Sequence, residues 1–223
     1  MKTISFFAVL IVAAAGQTRA QDLKSALVRM QDVYAHSEKL HIIMEVKVFE
    51  TIGEKTPAFH EKADIKKQKE NYRYTFSSSE MLLNEKYQIV VDKDSRDIII
   101  NKRDQKIESQ VKDVFKANLD SILAHYNTPE VLGDSAGATH YRVFQKHGVV
   151  DQIDLYVDNQ RSIVKKMEYR YRDGQFVSVV FEMFDTTPSF DEGVFDDKNY
   201  VLIAGGRVKP SARLQHYRIF GED

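Results

Sequence analysis

Leu40, Ile42, Met44, Val46 and Val48 fall on one side of the chain and His41, Glu45 and Lys47 on the other. That period of two predicts a β-strand. Ile43 and Phe49 break the polar side, so it too is expected to be partly covered. Just before this strand the period is helical. Asp22 can cap a helix, and Leu23, Ala26, Leu27, Met30, Val33 and Tyr34 follow at helical spacing as far as Ser37.

After a turn over 53–57 the alternation returns. Phe59, Ala63 and Ile65 oppose His60, Lys62, Asp64 and Lys66, and Tyr72, Tyr74 and Phe76 oppose Asn71, Arg73 and Thr75. Short strands are predicted at 81–83, 87–91 and 98–101, with connections short enough for an antiparallel meander. A second helical stripe then interrupts it: Val111, Val114, Phe115, Leu119, Ile122, Leu123 and Tyr126, ended by Asn127-Thr128-Pro129.

Residues 133–139 read as a loose loop. Strands resume at 141–146, 150–158, 163–172 and 176–184, with turns at His147-Gly148, Asp158-Asn159 and Asp173-Gly174. The Asp-Gly pair is a strong hairpin signal, because both positions tolerate positive φ. In this last hairpin Val177, Val179, Phe181 and Met183 share one face, and Phe176, Val180 and Phe184 share the other. The pattern predicts a mainly β (α+β) fold: one strongly curved antiparallel sheet of about ten strands with two helices to cover or plug it. Neither a composition shift nor an internal repeat divides residues 21–223, which read as a single domain.

The first twenty residues change the setting. Lys2 precedes a short apolar run, ISFFAVLIVAAA, and a polar stretch ending in Ala20. This is the layout of a signal peptide cleaved after Ala20, and the run is too short to span a bilayer. The chain is therefore expected to be exported, with no membrane span after cleavage. There is no cysteine, which excludes disulfides, thiol catalysis and a lipid-modified cysteine. The formal net charge of −1 gives no nucleic-acid footprint.

Candidate chemistry is sparse. The seven histidines form no H-x-H or H-E-x-x-H pattern, so no metal site is expected. Residues 92–97 begin like a calcium loop but lack its central glycine and closing glutamate. Asp191, Glu192, Asp196 and Asp197 surround Phe190, Val194 and Phe195 as a surface edge beside a buried anchor. Ser77-Ser78-Ser79 has no G-x-S-x-G context, and no glycine-rich phosphate loop opens a helix. The expectation is a protein that is not an enzyme.

The order of elements resembles the LolA family of periplasmic outer-membrane lipoprotein carriers. The matching stretches are DLKSAL (22–27), YQIVVDKDSRDIIINK (87–102), VDNQRSIVKKMEYRYRDGQFVSVVFEMF (157–184) and PSFDEGVFDDKNYVL (188–202). The resemblance implies an incomplete β-barrel whose helices form a lid over an apolar cavity, without a cofactor. It implies a monomer that takes lipoprotein acyl chains, or another lipid, from an inner-membrane transporter to an outer-membrane acceptor. An envelope regulatory or sensor module of the same fold, acting by protein contact, is the alternative.

Alternation within this frame nominates Met44, Val46, Tyr74, Phe76, Val91, Val179 and Phe181 as cavity-lining residues. The family's lid-latching arginine precedes a proline; here KKQKENYRYTF (66–76) has no proline, and the latch candidates are Lys69 and Arg73. The chain also has no tryptophan. Residues 204–223 extend past the shared region, with LQHYRIF a candidate edge strand.

Overall fold

The computed structural model describes residues 23–103, 121, 123–205 and 207–221. The signal-peptide segment, the Asp22 cap and most of the second expected helix lie outside them. Residues 23–36 form α1, with Leu23 and Ala26 fully buried. Fourteen strands follow among the described residues: β1 (Lys39–Phe49), β2 (Phe59–Gln68), β3 (Asn71–Phe76), β4 (Ser79–Leu83), β5 (Tyr87–Asp92), β6 (Asp97–Lys102), β7 (Glu130–Ser135), β8 (Ala138–Phe144), β9 (Val150–Asp158), β10 (Ile163–Tyr171), β11 (Phe176–Asp185), β12 (Val201–Ala204), β13 (Arg207–Pro210) and β14 (Arg218–Phe220).

Twelve of these make one sheet in the order β14-β6-β5-β4-β3-β2-β1-β11-β10-β9-β8-β7, and β12 and β13 form a separate hairpin. The sheet runs from an edge at β14 to an edge at β7, so it does not close into a barrel. The chain falls into two compact units. The first holds the described residues of Met1–Ala35, Lys47–Phe59 and Lys116–Val180, and the second those of His36–Val46, His60–Phe115 and Phe181–Asp223. β1 and β11 contribute to both.

In the second unit, Leu82, Ile89, Val91, Ile98 and Ile100 point from β4, β5 and β6 into one core. There they meet Tyr200, Val201 and Leu214 from the region after β11. Tyr87, Phe195, Val208, Tyr217 and Ile219 pack around its margin. One side of this part of the sheet is thus closed by the chain's own later segment.

Two features depart from the sequence expectation. The stretch read as a loose loop is mostly strand: β7 pairs with β8, Ser135 opposite Ala138, across an Ala136-Gly137 turn in which both residues have positive φ (51° and 72°). β7 has one neighbour among the described strands and is almost entirely exposed, so it needs no apolar stripe and leaves none in the sequence. The candidate edge strand does form, but as a parallel partner of β6, with Arg218 beside Asp97 at 2.7 Å. Gly221, at φ 129°, ends it where any side chain would collide with the Ile100 carbonyl.

The packing of the later segment generates a stability contrast. Leu214→Ala should cost about 2–5 kcal/mol in urea unfolding, because it opens a cavity in a filled core. Leu202→Ala, at a half-exposed β12 position, should stay within about 0.5 kcal/mol. Equal costs for the two would contradict the described core.

Candidate functional site

The other side of the second unit's sheet is built by register. Ile65 on β2 lies opposite Tyr74 on β3, Tyr74 opposite Met81 on β4, Met81 opposite Val90 on β5, and Val90 opposite Ile99 on β6. Ile99 lies beside Phe220 on β14. Six apolar side chains therefore form a single row across six strands, roughly 24 Å long at about 4.8 Å per strand. Ile65, Tyr74, Met81 and Val90 are half-buried, whereas Ile99 and Phe220 are 44% and 49% exposed.

The flanking rows are more polar. On one side Phe76, stacked on Tyr74 with ring centroids 6.3 Å apart, leads to Ser79, Asp92 and Asp97. On the other, Leu83 leads to Gln88 and Asn101, with Tyr72 and Lys67 at its β3 and β2 end. Lys67 Nζ donates to the Ser37 carbonyl at 2.8 Å, and burial lowers its pKa. Burial also raises the Tyr74 phenol.

Side-chain contacts extend the face to β1 and β11. His41 Nε2 lies 3.1 Å from Asp64 and His60 Nε2 2.7 Å from Glu45, so His41 and Glu45 share the side of β2 that carries Asp64. Met44 and Val46 consequently lie on the side of Ile65 and Tyr74. Lys62 Nζ reaches Glu182 at 2.7 Å, which puts Glu182 on the Asp64 side and Phe181 on the Tyr74 side. Val179 alternates with Phe181 along β11, opposite Met167 of β10.

Six of the seven expected cavity residues therefore share a face of their strands, all half-buried. Val91 does not: it sits on the reverse side, fully buried in the core, and Val90 occupies the row instead. Val90 and Val91 are alike in hydrophobicity, and strands covered on both faces read as continuous apolar runs. A signal was nevertheless present. The two-residue Ser77-Ser78 turn sets Met81 opposite Tyr74, and the Glu85-Lys86 turn, closed by Asn84 N–H to the Tyr87 carbonyl at 3.0 Å, carries the count to Val90.

The two latch candidates are separated. Lys69 is exposed in the β2–β3 turn with φ 54°. Arg73 lies on the reverse face, its guanidinium 4.0 Å from Glu80. Glu80 is buried and also meets Lys93 at 3.1 Å and Arg213 at 3.1 Å. Burial alone would raise its carboxyl pKa, but the hydrogen bonds and charges of Arg213 and Lys93 hold it below the ordinary carboxylate value.

The first unit divides its faces by chemistry. Tyr141, Leu155, Met167 and Val179 form an apolar row across β8 to β11, whereas Arg142, Asp154, Glu168 and Ser178 run across the other face. Asp154, 1% exposed, accepts hydrogen bonds from Arg142 Nε at 2.8 Å, Gln152 Nε2 at 2.6 Å and His140 Nε2 at 2.9 Å. His140 stacks on Tyr156, 4.2 Å between centroids. Desolvation would raise the Asp154 pKa, and these partners outweigh it and lower it. A cleft of about 740 Å³ opens beside the β7–β8 edge, lined by Arg29, Val131, Leu132, Thr139, Tyr141 and Asn159 among others; none of the seven expected cavity residues lines it.

An open sheet, antiparallel except at β14 and preceded by a helix, agrees with the incomplete barrel expected from the sequence. No protein-family model matches the chain, and no curated protein matches it in sequence. Among solved structures, an uncharacterized conserved protein from Thermus thermophilus is similar with a TM-score of 0.50 and 7% identity, over 90% of this chain and 99% of that one. The Pseudomonas aeruginosa MucA/MucB complex gives a TM-score of 0.44 and 16% identity, over 85% of this chain and 63% of that one. A LolA superfamily protein, NE2245 from Nitrosomonas europaea, gives 0.34 and 10%, over 77% of this chain and 96% of that one. Similarity at these identities concerns fold and not activity.

Asp154→Ala should destabilise the protein by on the order of 3 kcal/mol, because three donors lose a buried acceptor. The carboxyl is held below its ordinary value in the folded state, so its contribution is complete above the unfolded pKa near 3.9 and is lost as pH falls through the lower folded value. The gap between wild type and Asp154→Asn should shrink from about pH 5 to about pH 2 in thermal unfolding. A gap constant over that range would contradict the ion-paired assignment.

Proposed function

We propose that this chain is an exported binding protein that holds a lipid, or the acyl chains of a lipoprotein, and carries them through the periplasm towards the outer membrane. The observation that supports this is the row Ile65, Tyr74, Met81, Val90, Ile99 and Phe220. It is long, one residue wide and bordered by more polar rows, while the reverse face of β4, β5 and β6 is occupied by the chain's own core. A ligand that matches such a strip is elongated and apolar. Each CH₂ exposed to water costs about 0.8 kcal/mol, so sheltering a long acyl chain offsets on the order of 10 kcal/mol. The half-exposed end at Ile99 and Phe220 lets the same chain leave. In this reading the ligand is held by burial and no bond is made or broken. An inner-membrane transporter would supply the lipid, an outer-membrane acceptor would receive it, and the signal peptide would direct export.

A second reading, an envelope sensor acting by protein contact, draws support from Leu202 and Ile203, which β12 leaves 49% and 42% exposed. Serine at both positions should abolish partner capture in that case and leave lipid binding intact.

Purified mature protein should carry extractable lipid and bind a fluorescent fatty acid. Phe181→Asp and Met81→Asp should each weaken that binding by about tenfold or more, since a carboxylate in the apolar strip must be desolvated. Lys62→Ala, on the opposite face, should leave it unchanged. Lipid-free preparations that show no fatty-acid binding would overturn the carrier reading.

A further inference from the structure

On the reverse face of the second unit, away from the apolar row, three cations converge on one carboxylate. Glu80 is bonded by Arg213 and Lys93, but Arg73 stands 4.0 Å from it, beyond hydrogen-bonding distance. The Arg73 Nε–H is buried and has no acceptor among the described residues. Burial disfavours the ionised form of the Tyr200 hydroxyl, which lies close to both Arg73 and Arg213, whose charges favour that form. The Arg213 guanidinium lies over the Tyr200 ring at 5.1 Å, and about half of its side chain remains open to solvent. Arg73 and Arg213 line an open cleft of about 280 Å³ together with the Glu192-Gly193-Val194 turn and Asn199. The turn is held in place by Asn199 Nδ2 donating to the Gly193 carbonyl at 2.8 Å.

We infer that this cleft is a binding site for a phosphate-type oxyanion, gripped between Arg73 and Arg213. Of the charged residues that line the cleft, two arginines face one exposed glutamate, Glu192; Lys93 and Glu80 lie behind them, and Asp191 and Asp196 flank the turn. Glu80 does not consume the donors of Arg73, whose fork suits an oxyanion better than a point charge would. The internal carboxylate holds the cations in position and competes with the incoming anion for Arg213. The oxyanion can be free phosphate or the phosphodiester of a lipid headgroup; both present the same charged oxygens. This inference is independent of acyl-chain binding, because the cleft and the apolar row lie on opposite faces of the sheet.

The test titrates the purified full chain with inorganic phosphate while following the Arg73 Nε–H resonance by NMR. A parallel arm measures binding to phosphatidylglycerol and phosphatidylcholine vesicles. Saturable phosphate binding is expected, weakened by roughly tenfold in Arg73→Gln and tightened in Glu80→Gln. Arg73→Gln removes the 4.0 Å ion pair to Glu80, which keeps Arg213 and Lys93 as partners, so the variant should fold, and its unfolding temperature provides the control. Arg73-dependent binding to phosphatidylglycerol but not phosphatidylcholine would assign the oxyanion to a headgroup, and phosphate binding without vesicle binding would assign it to the free ion. The inference is overturned if neither phosphate up to about 10 mM nor phosphatidylglycerol binds, or if Arg73→Gln leaves binding unchanged.

Discussion

Everything in the second unit depends on Tyr200, Val201 and Leu214 packing against the back of β4, β5 and β6. A strand that is apolar on both sides has two faces to cover, whereas antiparallel sheets commonly pack one face on a core and leave a polar face to water. Here the sequence supplies Ile, Val and Leu on both sides of the same strands. The segment after β11 removes one of the two faces from water and converts it into an ordinary core. The other face is then free to be something else. Without that packing the two apolar faces would be interchangeable, and the sheet would have no defined inside.

The fold was largely readable because the turns are well marked. Asp173-Gly174 stands at the tip of the β10–β11 hairpin, with Gly174 at φ 96° and Tyr171 N–H bonded to the Gln175 carbonyl at 2.9 Å. The alternation at Tyr72, Tyr74 and Phe76 was equally clear, since Arg73 and Thr75 separate the aromatics. Legibility failed where contrast failed. Val90-Val91 and Ile98-Ile99-Ile100 carry no polar residue to mark a side, so only register through the neighbouring turns assigns them. β7 escaped notice for the opposite reason: with almost no buried residue, it has no apolar side to leave a mark.

The charged residues follow a logic that sequence could not reveal. Asp154, on the polar face of the first unit, and Glu80, on the core face of the second, are both buried carboxylates that gather several donors. Asp154 draws on residues within two adjacent hairpin strands, so its network is a local product of the β8–β9 register. Glu80 receives Arg213 across 133 positions of sequence, a pairing that no local pattern announces. The first cluster is closed, with each carboxylate oxygen accepting from its neighbours. In the second, the Arg73 Nε–H has no acceptor among the described residues, and that surplus distinguishes it from the closed network around Asp154.

The parallel strand β14 has a consequence for how the molecule is made. Arg218 pairs with Asp97 across 121 positions, so the β6 edge emerges from the ribosome long before the strand that covers it. Throughout that interval Ile98, Ile99 and Ile100 present an unpaired, β-prone edge to other nascent chains. A chaperone that engages extended apolar segments would be needed most during this window. Any substitution at Gly221 that displaces β14 would prolong the same vulnerability into the life of the finished protein.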